Sequence, residues 1–233
     1  MLVDKKYVRR FSKTFIFCHW LNALSFCMLY LTGLPLYTEW FNFLYVVFGS
    51  QEVLQILHRV FAVMFISVPI IQLIFDPQSM KDWAKQILNT RLRDFKFFLY
   101  FPLELIGLHP KGMPKQGFYN VGEKVNSVVQ ITAWFMLVVS GIFMWFADAF
   151  PREIVVWMYP IHGIAFGLAF AAFIGHLYLS AIDNPDSLRG MTKGSVHVRY
   201  AKGHHEAWYD ELIAKGEFTK EEAEQAIRED KNA

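Results

Sequence analysis

The chain has 233 residues, 54% of them hydrophobic and 17% aromatic. An ordinary water-soluble domain carries about 45–50% apolar residues, so a simple soluble globule is excluded. The formal net charge is only +2, which speaks against a nucleic-acid partner; where the charges fall says more than their sum.

The first residues, MLVDKKYVRRFSKTF, have the basic character of a signal peptide. The apolar run behind them exceeds 20 residues and has no small-residue cleavage site, so a retained membrane anchor is expected. Stretches free or nearly free of Asp, Glu, Lys and Arg then predict four spans. They are Thr14–Thr38, Val53–Phe75 (interrupted only by Arg59), Val125–Ala147 and Ile154–Ile182. Each can cross a hydrocarbon core of about 30 Å at about 1.5 Å per residue. Pro35 and Pro69 fall within spans, which membrane helices tolerate when neighbours satisfy the freed carbonyl. Cys18 and Cys27, both in the first span, stand about 13 Å apart along a helix, beyond disulfide reach.

Basic residues cluster before the first span (Lys5, Lys6, Arg9, Arg10, Lys13), between the second and third, and after the fourth; the other two loops hold Arg152 alone. By the positive-inside rule both termini and the 76–124 segment are cytoplasmic. Within that segment Ser79–Asn89 has the spacing of a helix lying at the interface, and FKFFLYF (95–101) is aromatic enough for headgroup depth. Residues 1–182 are therefore expected to form an all-α, four-helix membrane domain, with 183–233 a cytoplasmic extension. In the extension, Thr219 and Glu222 make the capping-box pattern of a short helix.

Histidines sit at two depths. His19 lies about 9 Å and His176 about 10 Å from the expected cytoplasmic side, while His58 and His162 enter from the outer side. On the last span His162 and His176 project from nearly the same face, about 21 Å apart. Burying an imidazole requires a partner, and two imidazoles meeting at one depth can hold a haem iron from both sides, leaving it to carry electrons. Covalent c-type attachment is not expected, since no C-x-x-C-H occurs. A proton relay and a metal site are the alternatives; the latter would gather three or four ligands at one level, and two levels of two fit two haems better. Gly163, Gly167, Ala171 and Gly175 form a small-residue stripe, with Gly33 and Gly141 near the outer ends of the first and third spans. Close helix packing and space for a porphyrin both account for them. Arg59, beside His58, is placed to pair with a haem propionate or to snorkel to water.

The runs RFSKTFIFCHW, LHRVFAV, GFYNVGEKVN, IHGIAF with GHLYLS, and MTKGSVHVRYAKGHHEAWY together resemble the gamma subunit, a dihaem cytochrome b, of membrane-bound respiratory formate dehydrogenase. The similarity runs from about Arg10 to Tyr209. Related subunits serve hydrogenases and thiosulfate or polysulfide reductases, but the YN-x-G-x-K element and the HH-x-x-WY tail are closer to the formate enzyme. The resemblance implies that His58 and His162 hold an outer haem b, and His19 and His176 an inner one. It also implies a menaquinone or other quinone site on the cytoplasmic side, near the inner haem. Asn120 and His176 are its lining residues, with Gly122 and Lys124 as neighbours, although Asn-Val-Gly also reads as a turn into the third span.

The partners implied are an iron–sulfur beta subunit and a molybdenum or tungsten alpha subunit outside the inner membrane, in a trimer of heterotrimers. Electrons would pass inward to the quinone, which takes protons from the cytoplasm. A proton-coupled transporter without haem is the rival from another class. His109, His197, His204 and His205 are expected to be solvated or docked against loops.

Overall fold

A computed structural model describes residues 2, 3, 6–105 and 112–231. His109 lies outside the described residues. Four helices have the length and composition to cross a membrane: α1 (Lys13–Tyr37), α3 (Gln51–Phe75), α6 (Val121–Trp145) and α7 (Arg152–Leu177), the last continuing to Asp183 as a wider π turn. The chain is an all-α membrane bundle with one small sheet. Shorter helices are α2 (Leu44–Phe48), α4 (Pro77–Leu88), α5 (Lys96–Leu105), α8 (Pro185–Lys193), α9 (Val198–His204), α10 (Glu206–Ala214) and α11 (Lys220–Lys231). Contacts divide the chain into two compact units, residues 12–80 with 131–171, and residues 1–11 with 81–130 and 172–233.

In the first unit, polar caps begin and end apolar helices. Ser12 accepts from the Phe15 N–H at 2.9 Å to start α1, and its hydroxyl donates to Asp76 just past the end of α3. Asp76 in turn accepts from the Ser79 N–H at 3.1 Å, so its carboxylate caps the start of α4, whose first residue is Pro77, while its backbone N–H closes α3 on the Gln72 carbonyl. On the other side Gly49, at φ +99°, makes a turn that a side chain would strain before Ser50 caps α3.

The core of this unit is aromatic. Tyr30 of α1 stacks on Phe166 and Phe170 of α7, at centroid distances of 4.1 and 4.4 Å, and donates its hydroxyl to the Phe166 carbonyl at 2.5 Å. Buried Ala165 and Ala169, one helical turn apart, are the small residues of α7 enclosed in that packing. The expected glycine stripe packs only in part. A Cβ on Gly163 would come within 3.2 Å of Tyr37, whereas among the described residues one on Gly167 or Gly175 would meet nothing within 4 Å.

The second unit joins the two ends of the chain. Strands β1 (Leu2–Val3), β2 (Tyr7–Arg9) and β3 (Ser195–His197) form an antiparallel sheet in the order β1-β2-β3, with Val8 opposite Val196. Gly194, in the left-handed region at φ +74°, ends α8 and offers its carbonyl to the Arg10 and Phe11 N–H groups. Val8, Val196, Val198, Tyr200, Trp208, Tyr209 and Phe218 make the core. Thr219 and Glu222 cap α11 reciprocally, at 3.2 and 2.7 Å.

Candidate functional site

The first unit brings two of the four membrane histidines together. His58 on α3 and His162 on α7 are half-buried, with ring centroids 6.5 Å apart and ring planes inclined by 58°. Two imidazoles binding one ion from opposite sides through Nε2, with metal–nitrogen bonds of about 2.0 Å, have centroids about 6.3 Å apart. The pair therefore fits a bis-imidazole iron site.

Each ring is held from behind in the same way. His58 Nδ1 lies 3.0 Å from the Thr32 hydroxyl of α1, and His162 Nδ1 lies 2.8 Å from the Ser140 hydroxyl of α6. A glycine follows each hydroxyl residue. A Cβ on Gly33 would stand 3.2 Å from His58 Cε1, and one on Gly141 would stand 3.6 Å from His162 Cε1. These glycines admit the rings, a role that neither helix packing nor porphyrin space anticipates. Thr32 and Ser140 were not among the residues singled out from sequence, although Thr-Gly and Ser-Gly in two apolar spans were a visible shared signal.

Arg59 is exposed, and its guanidinium lies over the Trp145 ring at 5.3 Å. This cation–π contact is a partner that the propionate and snorkelling readings both omit.

The other two histidines belong to different units. His19, on α1, is half-buried and meets Trp20 edge-on at 5.6 Å. His176 is exposed on the last turn of α7, one residue short of the π turn, and its carbonyl accepts from the Ser180 hydroxyl. Such turns recur at functional sites.

In the second unit, Asn120 is the N-cap of α6. Its Oδ1 accepts from the Glu123 N–H at 2.8 Å, and Glu123 accepts from the Asn120 N–H at 2.9 Å, a reciprocal capping box. A Cβ on Gly122 would stand 3.2 Å from Asn120 Oδ1, tighter than ordinary contact. Lys124 is half-buried and donates its backbone N–H to the Asn120 carbonyl. The Glu123 carboxylate is close enough for its charge to act on His176.

Around this cap lies a polar network that the sequence did not suggest. Arg10, counted there only as one of the basic residues, is buried and donates to Glu123 at 3.1 Å and to the Phe118 carbonyl at 2.7 Å. Burial opposes its charge, but Glu123 and then Tyr200 hold the guanidinium pKa above its ordinary value. His205 is fully buried, with Nδ1 2.8 Å from the Gly117 carbonyl and Nε2 3.3 Å from the Tyr200 hydroxyl. Burial first, and then the Arg10 charge, lower its pKa to about 3. His197 is buried on β3, accepts from the Arg199 N–H, and has its pKa lowered by burial. Both histidines are docked within the fold.

Membrane-length helices and a close imidazole pair are consistent with a membrane cytochrome of the b type. The chain belongs to the prokaryotic cytochrome b561 family, which matches residues 10–194, and haem b is accordingly its cofactor. It is similar over nearly its whole length to cytochrome subunits of formate dehydrogenases. The nitrate-inducible formate dehydrogenase cytochrome b556 subunit of Escherichia coli K12 is 29% identical over 228 residues, covering 96% of this chain and 97% of that one. A second cytochrome b556 subunit of E. coli formate dehydrogenase is 28% identical over 198 residues, 83% of this chain and 88% of the relative. The formate dehydrogenase cytochrome b556 subunit of Haemophilus influenzae is 25% identical over 204 residues, 84% and 79% respectively.

Proposed function

We propose that this chain is the quinone-reducing cytochrome b subunit of a formate dehydrogenase complex in the bacterial inner membrane. The observation that carries the reading is the His58–His162 pair, backed and spaced for one iron. His58 and His162 hold one haem b towards the outer face, and His19 and His176 hold a second towards the cytoplasm. A haem with both axial positions filled supplies one-electron transfer and leaves no position for oxygen.

The residues of the chain supply the rest. The aromatic packing of Tyr30 with Phe166 and Phe170 keeps water from the interior of the first unit. His176, Asn120, Gly122 and Lys124 form the quinone site, and Glu123 adds negative charge there. Arg59 pairs with a haem propionate in place of, or beside, its contact with Trp145. Both termini and residues 76–124 are cytoplasmic; residues 1–182 make the membrane domain and 183–233 its extension.

Electrons enter from an iron–sulfur subunit that receives them from a molybdenum or tungsten subunit oxidising formate outside, and they leave to menaquinone or another quinone inside. Each electron crossing the full membrane against 100 mV costs about 2.3 kcal/mol, which the redox drop from formate to quinone must exceed. A trimer of such heterotrimers completes the assembly.

The test is isolation from native membranes. A formate-oxidising subunit should copurify, and formate should reduce the b-type absorption. Copurification with a hydrogenase or sulfur reductase instead would reassign the partner, and a colourless preparation would favour a transporter.

A further inference from the structure

The structure assigns Thr32 and Ser140 as positioning residues that fix the tautomer and ring orientation of His58 and His162, and through them the redox potential of the iron these rings hold. This rests on the reading that the pair binds haem. Both hydroxyl residues are fully buried. The Thr32 hydroxyl also lies 2.7 Å from the Met28 carbonyl, and the Ser140 hydroxyl lies 2.5 Å from the Met136 carbonyl. Each is the back-bond of a helical Ser or Thr to the residue four positions before it.

A hydroxyl has one proton, and a carbonyl can only accept. The proton is therefore spent on the backbone, and the oxygen offers the imidazole nothing but lone pairs. Nδ1 must then carry the ring hydrogen and donate it. In a neutral imidazole so oriented the remaining lone pair is on Nε2, which becomes the one ligand atom available to iron.

The arrangement occurs twice, on separate helices and in the same order: a hydroxyl that grips Nδ1, followed by a glycine that admits the adjacent Cε1. An acceptor behind a ligating imidazole raises its basicity. A more basic ligand stabilises ferric over ferrous iron, so the hydroxyls hold the potential of this haem down.

The experiment uses the whole complex carrying Thr32→Val or Ser140→Ala, with Thr32→Ser and Ser140→Thr as the conservative partners. Redox titration and the electron paramagnetic resonance signals of the oxidised haems are measured. Each hydroxyl-removing variant should move the midpoint of one haem to more positive potential and change the g-values of that haem alone. The conservative variants should restore the parental values. Midpoints and g-values unchanged for both haems in Thr32→Val and Ser140→Ala would overturn the inference. Equal shifts in both haems would also overturn it, since they would report a general loosening. If Thr32→Val fails to accumulate, Ser140→Ala carries the same test at the other ring. His58→Ala separates the two claims. Loss of one haem in His58→Ala while the hydroxyl variants are silent ends this inference and leaves the function standing; unchanged haem content in His58→Ala ends the functional reading itself.

Discussion

Asn120 and Glu123 cap the first turn of α6 reciprocally, each accepting from the other's backbone N–H at 2.8 and 2.9 Å. Asn120 Oδ1 is thus engaged in the fold, and any contact with quinone falls to its amide nitrogen. Two substitutions separate the roles. Asn120→Ala removes the cap, at a cost of about 1 kcal/mol, together with the amide. Asn120→Asp keeps an oxygen for the cap and replaces the amide donor with a carboxylate. Quinone reduction by the purified complex should fall about tenfold in Asn120→Asp, the worth of one hydrogen bond, with the thermal midpoint of the parent. A parental rate in Asn120→Asp would make Asn120 a cap and nothing more.

The second unit should be sensitive to acid through His205. Burial, with the Arg10 charge behind it, lowers this imidazole from 6.5 to about 3. Between those values the unfolded chain binds a proton that the folded chain refuses, so stability rises with pH across the window. It is fully present above pH 6.5 and is lost as pH falls towards 3, at up to about 1.4 kcal/mol per pH unit. Limited proteolysis between α9 and α10 should report it, with cleavage accelerating below pH 6. In His205→Gln the pH dependence should flatten; an equally steep acid response in that variant would place the sensitivity elsewhere.

The legible parts of the sequence were those governed by composition along a single helix. Charge-free length marks the four membrane-length helices, and α6 begins at Val121, earlier than the expected Val125, because Glu123 and Lys124 lie inside the helix, Glu123 as half of its capping box. The same Asn-x-x-Glu logic that marked Thr219 and Glu222 applies to Asn120 and Glu123, but a neighbouring glycine made the stretch look like a turn. What depends on pairing across great sequence distance was not legible. β2 meets β3 some 190 residues later, and nothing local in YVR distinguishes a strand from a basic flank. Arg10 looked like its neighbour Arg9; only the fold buries one and exposes the other. Thr32 and Ser140 share the signal of a following glycine, but a hydroxyl that back-bonds to its own helix is ordinary in an apolar span, so nothing local ties either to a histidine on another helix.

The two glycines beside the paired histidines should respond differently to a methyl group. At Gly33 an added Cβ would stand 3.2 Å from His58 Cε1, tighter than ordinary contact, while at Gly141 the gap to His162 Cε1 is 3.6 Å. Gly33→Ala must push the ring by a few tenths of an ångström, and should broaden or deplete the reduced-minus-oxidised spectrum of one haem. Gly141→Ala should keep a parental spectrum. The reverse ranking, with Gly141→Ala the more damaging, would show that the rings are not seated against these helices as described.

The pairing itself is tested most directly by counting haem in the complex carrying His58→Ala and His162→Ala together. Pyridine haemochrome analysis against protein should find one haem b per chain where the parent has two, with the remaining haem still low-spin. Two haems retained in the double variant would contradict the assignment of His58 and His162 as one iron's ligands.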